Sequence, residues 1–343
     1  MKTHLALAAG FACLLAARSV FPCGAPFGTG IEAKPQQDII VAYKNGVETY
    51  VFQPIFCGTA TDFGLILPVP SELSQMPALA NQQAFTTAIA SSEPKKVKVS
   101  SSSGIGCGSS ASGGAMNRDS VPTVVASGRV GFLDWVQLKA QTEASFTDWL
   151  TANGYPYSTT SATVFSYYVQ KGWYFLAFRI SQGVAPDGGT LCTALGPIAF
   201  AFPTPTPVVP SRMAGAGSPI AGSSASLYAW RIFGISYGDV QLGSGSNLRY
   251  SGLINDSDLP SLAGLAQTGD RLTRLNITFD ANTANADVDL GMVPASDYRA
   301  TEYVPDDSDS ACSVTRTSRS GNSFVLPLFA LVLAGLVCWR RRR

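Results

Sequence analysis

The sequence has almost no histidine. The only one in 343 residues is His4, at the extreme amino terminus. The rest of the chain therefore holds no Ser-His-Asp triad, no Cys-His pair and no histidine-ligated zinc or iron. Catalysis is left to carboxylates, a Ser-Lys or Tyr system, a lone cysteine or a bound cofactor, and the balance tilts toward a non-catalytic protein. There is no CxxC, and the seven cysteines lie at long separations, so no metal cluster is expected. No apolar run reaches the roughly 20 residues that a spanning helix needs. No repeat recurs at a fixed period.

What is present lies first at the two ends. Phe324–Trp339 is an uncharged apolar run, followed by Arg340 to Arg343. At about 1.5 Å per residue it extends roughly 24 Å, short of a hydrocarbon core of roughly 30 Å. It can still cross if the arginines snorkel and the bilayer thins, with the arginines cytoplasmic and the body outside. At the head, Lys2 precedes the apolar run Leu5–Ala17, which is too short to span. Ala17 and Ser19 are small residues at the −3 and −1 places of a cut after Ser19, so 1–19 is expected to be a signal peptide. Pro22 before Cys23 does not fit a lipobox.

Cys312, a polar spacer Ser313–Ser323 containing Gly321, the apolar run and the arginine cluster follow in that order. Together they resemble the MYXO-CTERM sorting signal of myxobacterial surface proteins. The resemblance implies removal of the helix by envelope sorting and processing machinery, and display of the body on the cell surface. A plain membrane anchor in the tail is the alternative.

Between Ser19 and Cys312 lie all 23 acidic residues but only 16 of the 24 basic ones. That negative body argues against nucleic acid or anionic membrane as a partner. It keeps Cys23, Cys57, Cys107 and Cys192. Export favours disulfides, and four cysteines allow three connectivities. Cys23 with Cys57 is the favoured pair, because both adjoin the first strands, but the connectivity stays open.

The pattern predicts a β-rich α+β fold, with antiparallel, sandwich-like sheets, a few short helices and the C-terminal hydrophobic helix. Asn45-Gly46 between 38–43 and 49–57 signals a hairpin. Strands are expected at 63–69, 95–99, 121–126, 128–138, 173–180 and 198–202. Ala78, Gln82, Phe85 and Ile89 recur at helical spacing within 73–91. Ser145 is expected to cap a helix that ends at Asn153-Gly154, and 163–170 to be another. Pro203–Pro210 reads as a polyproline bridge dividing an N-terminal domain, 20–205 with a flexible Ser/Gly loop at 100–118, from a subdomain at 206–305. Beyond the bridge, strands are expected at 226–235, 248–253, 272–279 and 286–292, with a short helix near 259–266. A polar stalk, 306–323, leads into the tail, 324–343.

The body also resembles the secreted bacterial family called domain of unknown function 2330. The matching residues are Cys23-Gly24, the run Thr61–Pro70, Gly131–Asp134, Trp149-Leu150, Asn153–Tyr155, Tyr168-Val169, Gly172-Trp173 and Leu272–Leu275. This chain has one cysteine near its start where many relatives have two. The resemblance implies an exported β-rich protein and supplies no catalytic residue.

Several constellations invite chemistry. Asp62-Phe63-Gly64 spells the kinase magnesium motif, but no HRD loop exists to complete it. Ser92-x-x-Lys95 matches the penicillin-binding motif, but its serine closes a helix instead of opening one. Gly104, Gly106 and Gly108 do not sit between a strand and a helix as a nucleotide loop would. Asp280, Asn282, Asn285, Asp287 and Asp289 crowd oxygen ligands suited to calcium, though not in EF-hand spacing; a polar turn is the default. Trp149, Tyr155, Tyr157, Tyr167, Tyr168 and Trp173 form either core packing or a glycan platform. The expectation is an exported envelope or surface protein with a binding or structural role, a glycan or protein as its surface ligand, and no cofactor beyond a candidate calcium. The alternatives are a histidine-free carboxylate hydrolase acting on glycans and a calcium-stabilised adhesion module.

Overall fold

The computed structural model describes residues 25–27, 32–33, 36–53, 55–58, 64–99, 122–155, 157, 159–181, 191–194, 196–216, 227–236, 238–242, 247–280 and 287–305. Its largest sheet has eight strands, ordered Tyr298–Arg299, Leu248–Leu253, Arg271–Asp280, Leu227–Ser236, Gln36–Lys44, Val47–Phe52, Ile198–Pro203 and Gln75–Leu79. A five-stranded sheet runs Ala25–Phe27, Gly64–Val69, Tyr174–Ile180, Leu133–Lys139 and Thr123–Val130. Two three-stranded sheets join Leu191–Ala194, Ile55–Gly58 and Glu32–Ala33, and Val208–Val209, Val288–Val293 and Asp239–Leu242. Lys95–Val99, the expected lysine-bearing edge, pairs with Thr301–Pro305.

Strand alternation builds the layers. Ile39, Val41, Tyr50 and Phe52 share a core with Leu65, Leu67, Trp135, Leu176 and Phe178 of the five-stranded sheet. Their neighbours Ile40, Ala42 and Val51 pack on the other side, against α1 (Gln83–Ser91) through Ala84, Phe85 and Ala88. Ile66, Leu138, Phe175 and Ala177, on the outer face of the five-stranded sheet, are covered by α2 (Glu143–Ala152) and α3 (Thr159–Gln170) through Phe146, Leu150, Phe165 and Tyr168. The order is helix, sheet, sheet, helices, which is the expected β-rich α+β sandwich with short helices.

The Asn45-Gly46 hairpin forms with φ of 51° and 75°, the left-handed pair that a two-residue type I′ turn requires. One pairing in the large sheet is parallel: Leu227–Ser236 lies beside Gln36–Lys44. Arg231 stands opposite Asp38 and grips it with two hydrogen bonds of 2.6 Å, a fork that fixes the register. Strands from both sides of Pro203–Pro210 therefore share one sheet.

Three expectations change. Within 73–91, Gln75–Leu79 is an edge strand and only Gln83–Ser91 is helical. Pro77 explains this, since proline disrupts a helix interior but is tolerated at a sheet edge. Ser145 does not cap α2. Thr142 does, accepting from the Ser145 backbone N–H at 3.1 Å while Ser145 completes the capping box. In place of the helix expected near 259–266, residues 256–265 form consecutive turns.

Ser19, Cys23, Cys107, Asn282 and Cys312 lie outside the described residues, as do the head, the Ser/Gly loop, the stalk and the tail. Among the described residues no helix is long and apolar enough to cross a membrane. The described parts of 1–97 and 103–303 form one compact unit; residues 98–99 and 304–305 fall outside it.

Candidate functional site

Proline sets up the site. Pro203, Pro205, Pro207 and Pro210 contribute carbonyls but no N–H groups to the crossing segment 203–216. Its backbone must find partners elsewhere, and they come from across the fold. Tyr43 donates its hydroxyl to the Thr204 and Pro205 carbonyls at 3.1 and 2.7 Å. The Ser71 hydroxyl donates to the Pro203 carbonyl at 2.5 Å, and that of Ser161 to Ala216 at the same distance. Two N–H groups go to buried acids: Val208 donates to Glu48 Oε2 at 2.8 Å and Arg212 to Asp287 Oδ1 at 3.4 Å.

Glu48 shares a strand face with Tyr50 and Phe52, in the apolar middle of the protein. It is 0% exposed, and its Oε1 has no hydrogen-bond partner among the described residues. Burial pushes its carboxyl well above the ordinary 4.5, outweighing the Val208 hydrogen bond that lowers it. The neutral acid is thereby favoured. Tyr50, Leu67, Phe200, Phe202, Val208 and Pro210 surround a nearby gap too narrow for a water molecule. This gap holds no ligand-sized volume.

Asp287 is the calcium candidate whose surroundings are clearest. Its carboxylate accepts from the Tyr168 hydroxyl and from Arg212 N–H, and faces Lys171 Nζ at 3.4 Å. Burial raises its pKa, while Tyr168 and Lys171 work the other way. Burial, then the charge of Asp287, raises the Tyr168 phenol well above its ordinary 10, in keeping with its role as donor to Asp287. Asp289 is exposed, and Asp280 ends the strand Arg271–Asp280. Among the described residues no three His, Cys, Asp or Glu side chains gather to hold a metal.

The aromatic stretch is core and ladder together. Tyr155 and Tyr168 are buried, and Trp149, Tyr157, Tyr167 and Trp173 are half-buried against the same core. Trp149 stacks on Tyr155, and Tyr157 meets Phe165 edge-on. On the outer side Arg212 lies 4.0 Å from the Tyr167 ring centre. Lys171 lies 4.6 Å from that ring and 4.8 Å from Trp173. The result is a cation–π ladder beside Asp287 rather than a flat platform of bare rings.

The remaining motifs hold structure. The Ser92 hydroxyl of the S-x-x-K match is buried and donates to the Ala88 carbonyl at 2.6 Å, closing α1. Asp239 and Asp297 meet on one guanidinium, each 2.8 Å from Arg271. Burial opposes ionisation of Asp239, but Ser251, Arg271 and the Ser296 N–H together hold it below the usual carboxylate range. Asp62 and Phe63 lie outside the described residues.

Glu48 and Asp239 were not anticipated from sequence. Glu48 carried a signal: it alternates with Tyr50 and Phe52, which puts a carboxyl on the apolar face of its strand. Asp239 carried none, since its partners come from distant strands.

A family model described as "Uncharacterized protein conserved in bacteria (DUF2330)" matches residues 19–291. The chain belongs to the DUF2330 family. The DUF2330 region includes the crossing segment, both acids that hold it, the aromatic ladder and the parallel strand pair. No curated protein matches the sequence. The crystal structure of baculovirus P35 is similar at a TM-score of 0.40 and 11% identity, covering 78% of this chain and 99% of that one. A likeness at that score carries no argument about function.

Proposed function

We propose that this DUF2330 protein is exported, is displayed on the bacterial envelope and has a binding or structural role there. The observation that supports a non-catalytic role is what its buried shifted acids do. Glu48 holds Val208, Asp287 holds Arg212, Tyr168 and Lys171, and Asp239 holds Ser251, Arg271 and Ser296. A general acid needs a hydrogen-bonding face open to substrate. These carboxyls are instead buried in the fold, each held by at least one of the chain's own donors. The signal-like head and the sorting-like tail support the address. The ladder of Tyr167, Lys171, Trp173 and Arg212 supplies a half-exposed cationic and aromatic surface for a glycan or protein ligand.

Labelling intact cells with a membrane-impermeant amine reagent tests the reading. Lys95 and Lys96 are exposed, and both are expected to be modified before the cells are broken. Modification only after lysis would rule out surface display.

A further inference from the structure

We propose that Cys57 and Cys192 form a disulfide in oxidising surroundings, tying Ile55–Gly58 to Leu191–Ala194. The two strands are antiparallel, and Cys57 and Cys192 are Cα partners, flanked by Phe56 with Thr193 and Gly58 with Leu191. Residues paired in this way stand about 4.5–5.5 Å apart at Cα and share one face of the sheet. A disulfide spans about 4.4–6.8 Å at Cα. The register therefore favours this pair over Cys23 with Cys57, among the three connectivities that four body cysteines allow.

The chemistry balances as an exchange. The two thiols give up two protons and two electrons as the S–S bond forms. A donor disulfide, such as oxidised glutathione or an exchange protein of the export compartment, breaks its own S–S bond and leaves as two thiols. Persistence in the cell rests on the exported reading, because the cytosol keeps thiols reduced. The bridge closes a loop containing α1, α2, α3 and four of the five strands of the five-stranded sheet. A loop that long strongly restricts the unfolded chain.

The test uses the purified full-length chain in detergent, equilibrated in a glutathione redox buffer and digested with trypsin without reduction. Trypsin leaves Cys23, Cys57, Cys107 and Cys192 on four separate peptides, the second ending at Lys95 and the fourth at Arg212. Peptide 45–95 joined to peptide 180–212, and released by reductant, is the expected result. Any other linkage of these two cysteines, or both free, overturns the proposal. Cys57→Ser, Cys192→Ser and the double variant should each lower Tm by the same amount, roughly 5–15 °C, with no loss in reductant. Losses that add up and persist in reductant mean packing, and overturn it too. The same map on chain recovered from native cells separates the two readings. A bond that forms in the buffer but is missing in native chain upholds the pairing and sinks the exported address.

Discussion

Glu48→Gln tests whether a buried neutral acid anchors the crossing segment. Glu48 is fully buried, accepts a hydrogen bond from Val208, and its Oε1 finds no partner among the described residues. Burial is the larger influence on its carboxyl and raises it well above the ordinary 4.5. The unfolded chain lacks that burial and ionises first. Below a pH of about 4.5 both states hold the proton, and this group makes stability independent of pH. Above it the unfolded state releases a proton that the native state keeps. Native stability then falls by about 1.4 kcal/mol per pH unit until the native pKa is reached. Glutamine has no such proton, and its carbonyl retains the Val208 bond. Its unpaired N–H adds a constant cost of about 1–3 kcal/mol that leaves the slope unchanged. The unfolding free energy of the variant minus that of the wild type should therefore be flat below pH about 4.5 and climb by about 1.4 kcal/mol per unit above it. Urea unfolding followed by tryptophan fluorescence gives this difference, since Trp135 and Trp230 are buried and report on the core. The same difference at pH 4 and pH 8 would refute the reasoning.

Tyr168→Phe removes a buried donor from Asp287 and should cost about 1–3 kcal/mol, seen as a lower Tm by calorimetry; an unchanged Tm would contradict the placement of that pair. Asp239→Asn strips the buried charge from Arg271 and should cost about 3–5 kcal/mol near neutral pH. Because the native carboxyl of Asp239 lies below its ordinary 3.8, wild-type stability from this group is present above that pH and lost as pH falls through the native value. The variant should lack that acid limb in denaturant melts at pH 2–5. Millimolar calcium should leave Tm unchanged, because the chain's own donors already surround Asp287; a rise that a chelator reverses would show that 280–289 binds the ion.

Local signals carried much of this fold. Asn45-Gly46 specified its hairpin because both residues tolerate positive φ. Pro77 was the overlooked evidence against a helix at 75–79; the spacing of Ala78, Gln82, Phe85 and Ile89 is helical only from Gln83 onward. Ser145 was read as the cap of α2, and the cap fell instead on Thr142, because its place depends on where the preceding strand ends. The parallel pairing of Gln36–Lys44 with Leu227–Ser236 was not legible, since it is set by the Asp38–Arg231 fork between residues far apart in sequence. The acids followed the same division. Asp287 was legible as an oxygen ligand but not as the partner of Tyr168, because only the packing of α3 brings them together. The aromatic stretch was legible as core, while its ladder needed Arg212 from the crossing segment.

The central claim is an exported body cut at both ends, and the intact mass of the protein recovered from its native envelope tests it most directly. The account predicts a chain that begins after Ser19 and ends near Cys312, with or without an attached lipid. A mass that still includes Met1, or Trp339 with the four arginines, would contradict it.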